Sequence, residues 1–329
     1  METNSTSVSH DNTALCEFDV AVILPAFNEA LTIRDTIISF NNALPDAKIF
    51  VINNNSSDAT EHIAKKVFEE LQCEGTVINE KRQGKGNALR RAFMSIDADI
   101  YVLADADMTY PASRVLDLIR PVLHGEADMV VGDRHSSGHY AKENKRALHG
   151  FGNRLVQALI NALFNAQLAD IMSGYRVFNR EFIKNYPLLV EGFQVETDMT
   201  LHALDKRFRI VEIPIEYRDR PEGSISKLNT LSDGAKVIFT IAQVLRFYRP
   251  LLFFSMLSFL FVVLGGVASI PVFNDWVQYR YIYHVPLAIL ASVLELVAII
   301  LLGTGLLLDS VVHQHKLEFE QHLLKDTRR

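Results

Sequence analysis

The residues best suited to chemistry lie in "IYVLADADMTYP", Ile100 to Pro111, where an apolar run ends in Asp105 and Asp107 with one alanine between them. Two carboxylates so close repel each other, so the pattern predicts either a solvated loop or a cation held there. Paired carboxylates are hard oxygen donors that take Mg²⁺ or Mn²⁺, and such an ion can neutralise the diphosphate of a nucleotide.

The elements that must position this pair can be read on either side of it. Residues 18 to about 217 alternate short apolar runs with helical patterns. "FDVAVILPA" predicts a strand and Glu29 to Asn42 a helix; "KIFVIN" predicts a second strand, followed by a helix opened by the cap-forming Ser56, Ser57 and Asp58. "GTVINE", "DIYVLADAD" and "ADMVVGDR" predict three more strands, with "GKGNALRRAFMSI" a helix between the first two. Strands separated by single helices at this spacing predict an α/β fold built on a mostly parallel sheet. In such sheets ligands lie beyond the carboxyl ends of the strands, where the strand order reverses, and Asn28, Asn53 and Asp105 all fall just past strand ends. The extended pattern D-x-D-x-T, completed by Thr109, also resembles the haloacid-dehalogenase phosphatases. That fold carries its nucleophile on the first strand, whereas three strand–helix units come first here, so metal–diphosphate binding is the expectation.

Composition narrows the class. The 329 residues carry 33 Lys and Arg against 39 Asp and Glu, a net charge of −6, so no global basic field points to a nucleic-acid partner. Cys16 and Cys73 are the only cysteines, too few for a disulfide framework or a thiolate metal site. The eleven histidines show no zinc spacing, and His313 and His315 read as interfacial. Residues 1–17 are polar and predict a disordered tail without a signal peptide.

Two segments stand apart. Leu251 to Phe273 is 23 residues without a charge, and Val285 to Leu308 is 24 residues interrupted only by Glu295. Each matches the roughly 20 residues needed to cross a bilayer core. A buried hairpin of a soluble core is the alternative, but core helices of this length normally carry a polar stripe. The connector holds Trp276, Tyr279, Tyr281 and Tyr283, residue types that settle at headgroup level. Arg246 and Arg249 precede the first span, Lys316, Lys325, Arg328 and Arg329 follow the second, and only Arg280 lies between; the positive-inside rule then places both termini in the cytoplasm. Glu295 is expected to face the partner helix or an oligomer contact. Two further stretches are amphipathic. One is "LHGFGNRLVQALINALFN", where Phe151, Leu155, Leu159 and Leu163 oppose Asn153, Gln157, Asn161 and Asn165. The other is "LSDGAKVIFTIAQVLRFYR", just before the first span. For the second a place on the membrane surface is expected; for the first, covering its own sheet is an equal alternative.

Taken together, "VAVILPAFNEALTI", "VINNNSSDAT", "KRQGKGNALRRAF", "VLADADMTYP", "VVGDR", "DIMSGYRVFNRE" and "IPIEYRDRPEGSISKLNTLSDG" occur in an order that resembles the inverting glycosyltransferases of family 2, with the GT-A fold. With two C-terminal spans, the chain is similar to the polyprenyl-phosphate glycosyltransferases related to dolichol-phosphate mannose synthase. The resemblance covers residues 18 to about 310. It implies a GT-A domain over 18–230, an amphipathic juxtamembrane helix over 231–249, two spans over 250–309 and a cytoplasmic tail over 310–329, at the cytoplasmic membrane.

The resemblance further implies a nucleotide-diphosphate sugar as donor, a polyprenyl phosphate as acceptor, and one Mg²⁺ or Mn²⁺ held by Asp105 and Asp107. Pro25, Phe27 and Glu29 match the family's P-x-Y-N-E turn, with Phe27 able to stack on a base. Asn53, Asn55 and Asp58 belong to the second nucleotide loop, where the family usually has an acid at the position of Asn53 or Asn54 and this chain has neutral amides at both; an amide oxygen can still accept from a base imide. Lys85 is a candidate nucleotide contact, though not a P-loop lysine. Arg134, Arg220, Ser226 and Lys227 match phosphate-handling positions, where arginine forks and a lysine point charge suit phosphate oxygens. Gly223 and Ser224 suggest a loop that closes over substrate. Asp170 is the first candidate for a base and Glu196 the second, although Asp170 can equally orient other groups. Relatives assemble as oligomers. The alternatives are a non-catalytic relative that binds nucleotide sugar or scaffolds a complex, and a processive polysaccharide synthase. The latter needs more spans and a Q-x-x-R-W motif, while the only tryptophan is Trp276.

Overall fold

The five strand-like runs and two further strands, Arg176–Asn179 and Ile210–Pro214, assemble into a single seven-stranded sheet in a computed structural model that describes Leu15 and residues 17–136, 147–190, 195–217 and 233–326. The chain divides into two units, residues 1–230 and 231–329.

In the first unit β1 (Val20–Ala26), α1 (Ile33–Ala43), β2 (Lys48–Asn53), α2 (Thr60–Leu71), β3 (Gly75–Asn79), α3 (Lys85–Ser95) and β4 (Ile100–Leu103) follow the predicted alternation. After a short 3₁₀ turn (Ala112–Arg114) come α4 (Val115–Leu123), β5 (Met129–Asp133), α5 (Ala147–Phe164), β6 (Arg176–Asn179), α6 (Arg180–Asn185), α7 (Val195–Asp205) and β7 (Ile210–Pro214). The order across the sheet is β3-β2-β1-β4-β6-β5-β7, and β6 alone runs against its neighbours. Sequence alternation does not reveal β6, a four-residue strand of "RVFN" entered directly from the "MSGY" segment.

The order explains where the site must form. Strands step outward from β1 to β3, and the chain then returns to place β4 on the other side of β1. Right-handed crossovers therefore put α3 on the face opposite α1 and α2. The packing agrees: Ile33, Ile37, Phe40, Ala64, Val67 and Phe68 share a core with Val115, Leu118 and Ile119 of α4. Phe93 of α3 packs instead on Phe178 and Tyr186. Strands covered on both faces can be apolar throughout, as Val20 to Leu24 and Ile100 to Leu103 are. The crevice at the reversal, between the ends of β1 and β4, is where Asp105 lies.

Among the residues of α5 whose burial is described, Gly152, Val156 and Ile160 are buried, while Leu155 of the leucine stripe is exposed. The polar Gln157 and Asn161 turn inward, both donating to the Leu168 carbonyl, and Leu168 N–H donates back to Asn161. Backbone that must be satisfied two residues before Asp170 outweighs the apolar pattern.

The second unit contains α8 (Asp233–Tyr248), α9 (Pro250–Tyr279) and α10 (Val285–Asp326). Two of its helices, Pro250–Tyr279 and Val285–Lys325, are long and apolar enough to cross a membrane. Large apolar side chains such as Phe259, Ile270, Ile299 and Leu307 are more than half exposed on them, the distribution a lipid-facing surface takes. α9 and α10 pack along small residues: Ser258 donates to the Ala298 carbonyl, and Ala291, Ala298 and Gly265 are buried. Glu295 faces the partner helix as expected, its carboxylate lying where a Gly265 side chain would be. The helices extend beyond the expected spans. α9 runs on through Asn274 to Tyr279, so Trp276 and Tyr279 are helical and the connector shrinks to residues 280–284. Asp275 makes that possible by accepting from Tyr283 N–H, His284 N–H and the His284 ring.

Candidate active site

Three loops at the carboxyl ends of β1, β2 and β3 are stitched into one surface. Asn28, at φ 54°, donates its N–H to Ser56 and accepts from Ser57 N–H. Glu29 N–H donates to Thr60, and Ala30 N–H to Asp58. Burial raises the Asp58 carboxyl, but hydrogen bonds from Thr60 and from Ala30 N–H outweigh it and hold the group below its ordinary range. Asn54 spans the other gap, donating to the Arg82 carbonyl at 2.7 Å and accepting from Gly84 N–H at 2.7 Å. Pro25 and Phe27 are half-buried at the rim, while Asn55 is exposed at φ 57°. Asn53 ties its own turn to β3 and α2: its amide donates to Asn79 and Glu61 and accepts from Ser56 N–H.

The acidic pair is held by the carbonyl between its members. Ala106 O accepts from Thr32 Oγ1 at 2.7 Å and Thr36 Oγ1 at 3.2 Å, so the first turn of α1 grips the loop and leaves Asp105 and Asp107 on either side of the anchor. Asp107 is 2% exposed, and its Oδ1 accepts from both Thr109 N–H and the Thr109 hydroxyl. Asp105 is more open and carries a cation, with Lys85 Nζ 2.5 Å from Oδ1. Lys85 also reaches Glu196 Oε1 at 2.6 Å, from the first turn of α7. Burial opposes charge on Lys85, but the two carboxylates outweigh it and raise its pKa further. The Gly174 backbone closes over this group: a Cβ there would stand 2.9 Å from Asp105 Oδ2 and 3.1 Å from Lys85 Nζ.

A divalent ion suits this donor set. Carboxylate oxygens are what Mg²⁺ and Mn²⁺ take, and Asp105 already holds a positive group. Among the described residues no group of three or more His, Cys, Asp or Glu is placed to hold a metal ion, so Asp105 and Asp107 are the carboxylates that would hold one here.

The second cluster is built around one arginine. Arg134, just past β5, makes a two-pronged ion pair with Asp170: Nε to Oδ2 at 2.7 Å and Nη2 to Oδ1 at 2.9 Å. Arg134 N–H and Met172 N–H add to the same carboxylate. Burial raises the Asp170 carboxyl, but the Arg134 hydrogen bonds and charge prevail and hold it below the ordinary carboxylate range. Glu212 on β7 supports the turn from behind, accepting from Ala169 N–H and Asp170 N–H. Tyr110 and Tyr217 lie between the clusters. Tyr110 OH accepts from Gly174 N–H, and Tyr217 lies under the Arg134 guanidinium at 5.5 Å and shares a hydrogen bond with Thr109.

The structure thus brings together Lys85, Asp105 and Glu196 as one group, and Arg134 with Asp170 as another. Arg220, Ser226 and Lys227, with Gly223 and Ser224, lie outside the described residues. Several residues have no warning in spacing alone: Thr32 and Thr36, Tyr217, Glu212 and Arg176. Arg176 is wholly buried and donates to the carbonyls of Ile171 and Ser173 and to Thr200. It fixes the turn between Asp170 and Gly174. An arginine ending "MSGYR" before a strand was the available signal.

Comparison with known proteins places this geometry. Residues 21–186 match glycosyl transferase family 2. Glycosyltransferase AglJ of Haloferax volcanii is 28% identical over 298 residues, covering 90% of this chain and 95% of that one. A dolichyl-phosphate hexose transferase of the same organism is 28% identical over 229 residues, 69% of this chain and 93% of that one. Among solved structures, glucosyl-3-phosphoglycerate synthase of Mycobacterium tuberculosis, crystallised with Mn²⁺ and UDP-glucose, superposes with a TM-score of 0.55 at 24% identity, covering 72% of this chain and 82% of that one.

Proposed function

The chain belongs to glycosyl transferase family 2, and from that premise we propose that it moves a single sugar from a nucleotide-diphosphate donor to a polyprenyl phosphate at the cytoplasmic face of a membrane. The observation that carries the acceptor is the attachment, directly after the transferase unit, of two helices apolar enough to cross a bilayer. A lipid-borne phosphate is confined to that surface. The likeness to a dolichyl-phosphate hexose transferase supports the same reading.

The stitched loops after β1, β2 and β3 bind the nucleotide, with Phe27 at the rim and Lys85 near the diphosphate. Asp105 and Asp107 hold Mg²⁺ or Mn²⁺, which when bound offsets negative charge on the departing diphosphate. Arg134 meets the acceptor phosphate, and the sequence resemblance assigns Arg220, Ser226 and Lys227 to the same task. A phosphate monoester loses its second proton near pH 6, so the nucleophile is largely ionised at neutral pH and needs no strong base. Asp170 accordingly orients: its oxygens are committed to Arg134, and its lowered pKa makes it a poor proton acceptor. Glu196 is equally committed, to Lys85. Direct displacement by the phosphate oxygen inverts the anomeric carbon.

The test is transfer of radiolabelled sugar from a panel of UDP-, GDP- and dTDP-sugars into polyprenyl phosphate in vesicles. Label entering the lipid fraction with wild type, and lost with Asp107→Ala, is expected. Equal labelling by the two proteins would remove the metal mechanism, and no lipid labelling with any donor would remove the acceptor.

A further inference from the structure

Lys85 occupies a position that helix physics does not favour. It is the first residue of α3, where the helix end carries partial positive charge and a cation is unwelcome. Its side chain is nonetheless 11% exposed and bridges two carboxylates from distant parts of the chain, Asp105 at 2.5 Å and Glu196 at 2.6 Å. The approach is fixed from the backbone side by Gly84, at φ 128°, whose N–H is held by Asn54. On the far side Gly174 leaves no more than the room its missing Cβ provides.

We propose that Lys85 is an internal counter-cation that keeps Asp105 engaged until a divalent ion arrives with its nucleotide, and that Glu196, already paired with Lys85, is the positioning residue that retains it when Asp105 is released. This rests on the reading of Asp105 and Asp107 as metal-binding. An ammonium 2.5 Å from Asp105 Oδ1 and a divalent ion on the same carboxylate repel each other, so binding of the ion works against the Lys85–Asp105 contact. Displacing a buried pair is costly unless the freed charge is re-paired. Glu196 keeps one contact, and a nucleotide diphosphate supplies the other through one of the three ammonium donors. Free metal therefore binds weakly, whereas metal and nucleotide together each lower the cost for the other. By linkage the coupling is mutual.

The experiment is Mn²⁺ binding to the full chain in detergent, followed by electron paramagnetic resonance, with Mn²⁺ alone and with UDP or GDP. Wild type is expected to bind Mn²⁺ weakly alone and at least about tenfold more tightly with the matching nucleotide, within the usual range of coupling between sites. Lys85→Met is expected to bind Mn²⁺ alone at least about tenfold more tightly than wild type and to lose most of the nucleotide effect. Lys85→Gln, which keeps an amide donor for both carboxylates, gives the same direction and decides the matter if Lys85→Met fails to fold by circular dichroism. Mn²⁺ affinity unchanged or weakened in the folded variant, with wild type still binding Mn²⁺ beside nucleotide, overturns the counter-cation role alone. No Mn²⁺ binding by wild type even with nucleotide overturns this role and the metal reading together.

Discussion

Replacing Asp170 with asparagine tests the basic half of the site most sharply. The carboxylate is 1% exposed in its side chain and receives four donors: Arg134 Nε, Nη2 and N–H, and Met172 N–H. Asparagine is nearly isosteric but turns one acceptor oxygen into a donor group facing the Arg134 fork. It leaves a guanidinium only 12% exposed without its counter-charge. Removing one partner of a buried pair costs about 3–5 kcal/mol. At roughly 2–4 °C per kcal/mol for a domain of this size, the lower bound predicts a fall in melting temperature of about 6–12 °C. The catalytic loss should be larger, because an Arg134 that drifts by about 1 Å costs on the order of a hundredfold in rate. Thermal unfolding by circular dichroism, with sugar transfer measured at a temperature where both proteins are folded, reads the two effects separately. An Asp170→Asn protein that melts within 2 °C of wild type and transfers at the same rate would refute the claim that this pair positions Arg134.

Three further outcomes follow from the same geometry. Gly174→Ala should preserve the fold yet weaken Mn²⁺ binding beside nucleotide about tenfold, because the new methyl stands 2.9 Å from Asp105 Oδ2; unchanged metal affinity would show that the crevice has room to spare. Burial first, and the Lys206 charge second, lower His202 to about 4, whereas an unfolded histidine titrates near 6.5. Between those values the unfolded chain binds a proton that the folded chain does not. Stability should therefore be intact above pH 6.5 and decline by up to ~3 kcal/mol as pH falls to 4. His202→Gln should flatten that slope in urea unfolding, and an identical slope would assign it to other groups. For topology, in a chain freed of Cys16 and Cys73, a cysteine at position 278 should be labelled from outside and one at 322 only from inside; the reverse pattern would invert the orientation.

The parts legible in the sequence are those governed by periodicity and by the ends of elements. Val20 to Ala26 and Ile100 to Leu103 are apolar throughout because the sheet covers both their faces, so Asp105 had to stand at a strand end. The two long apolar helices were legible because each runs for more than 20 residues with at most one charge. What stayed hidden depends on partners far along the chain. Nothing local says that Thr32 and Thr36 will grip the Ala106 carbonyl, seventy or more residues away. The leucine stripe of α5 left two placements open, and nothing in it said that Gln157 and Asn161 would satisfy the Leu168 backbone. Asp275 looked like part of a loop because an acid seldom continues an apolar helix; three hydrogen bonds from residues 283 and 284 keep it there. Arg176 carried a chemical signal, but its wholly buried position arises from β6 lying between β4 and β5.

The central claim is that Asp105 and Asp107 together hold one divalent ion against the donor diphosphate. Anomalous scattering from Mn²⁺ in crystals grown with a nucleotide sugar measures this directly. A single strong peak is expected within coordination distance of both carboxylates, with Lys85 withdrawn from Asp105 Oδ1. A peak bound elsewhere, or an ion touching neither aspartate while the nucleotide is in place, would contradict it.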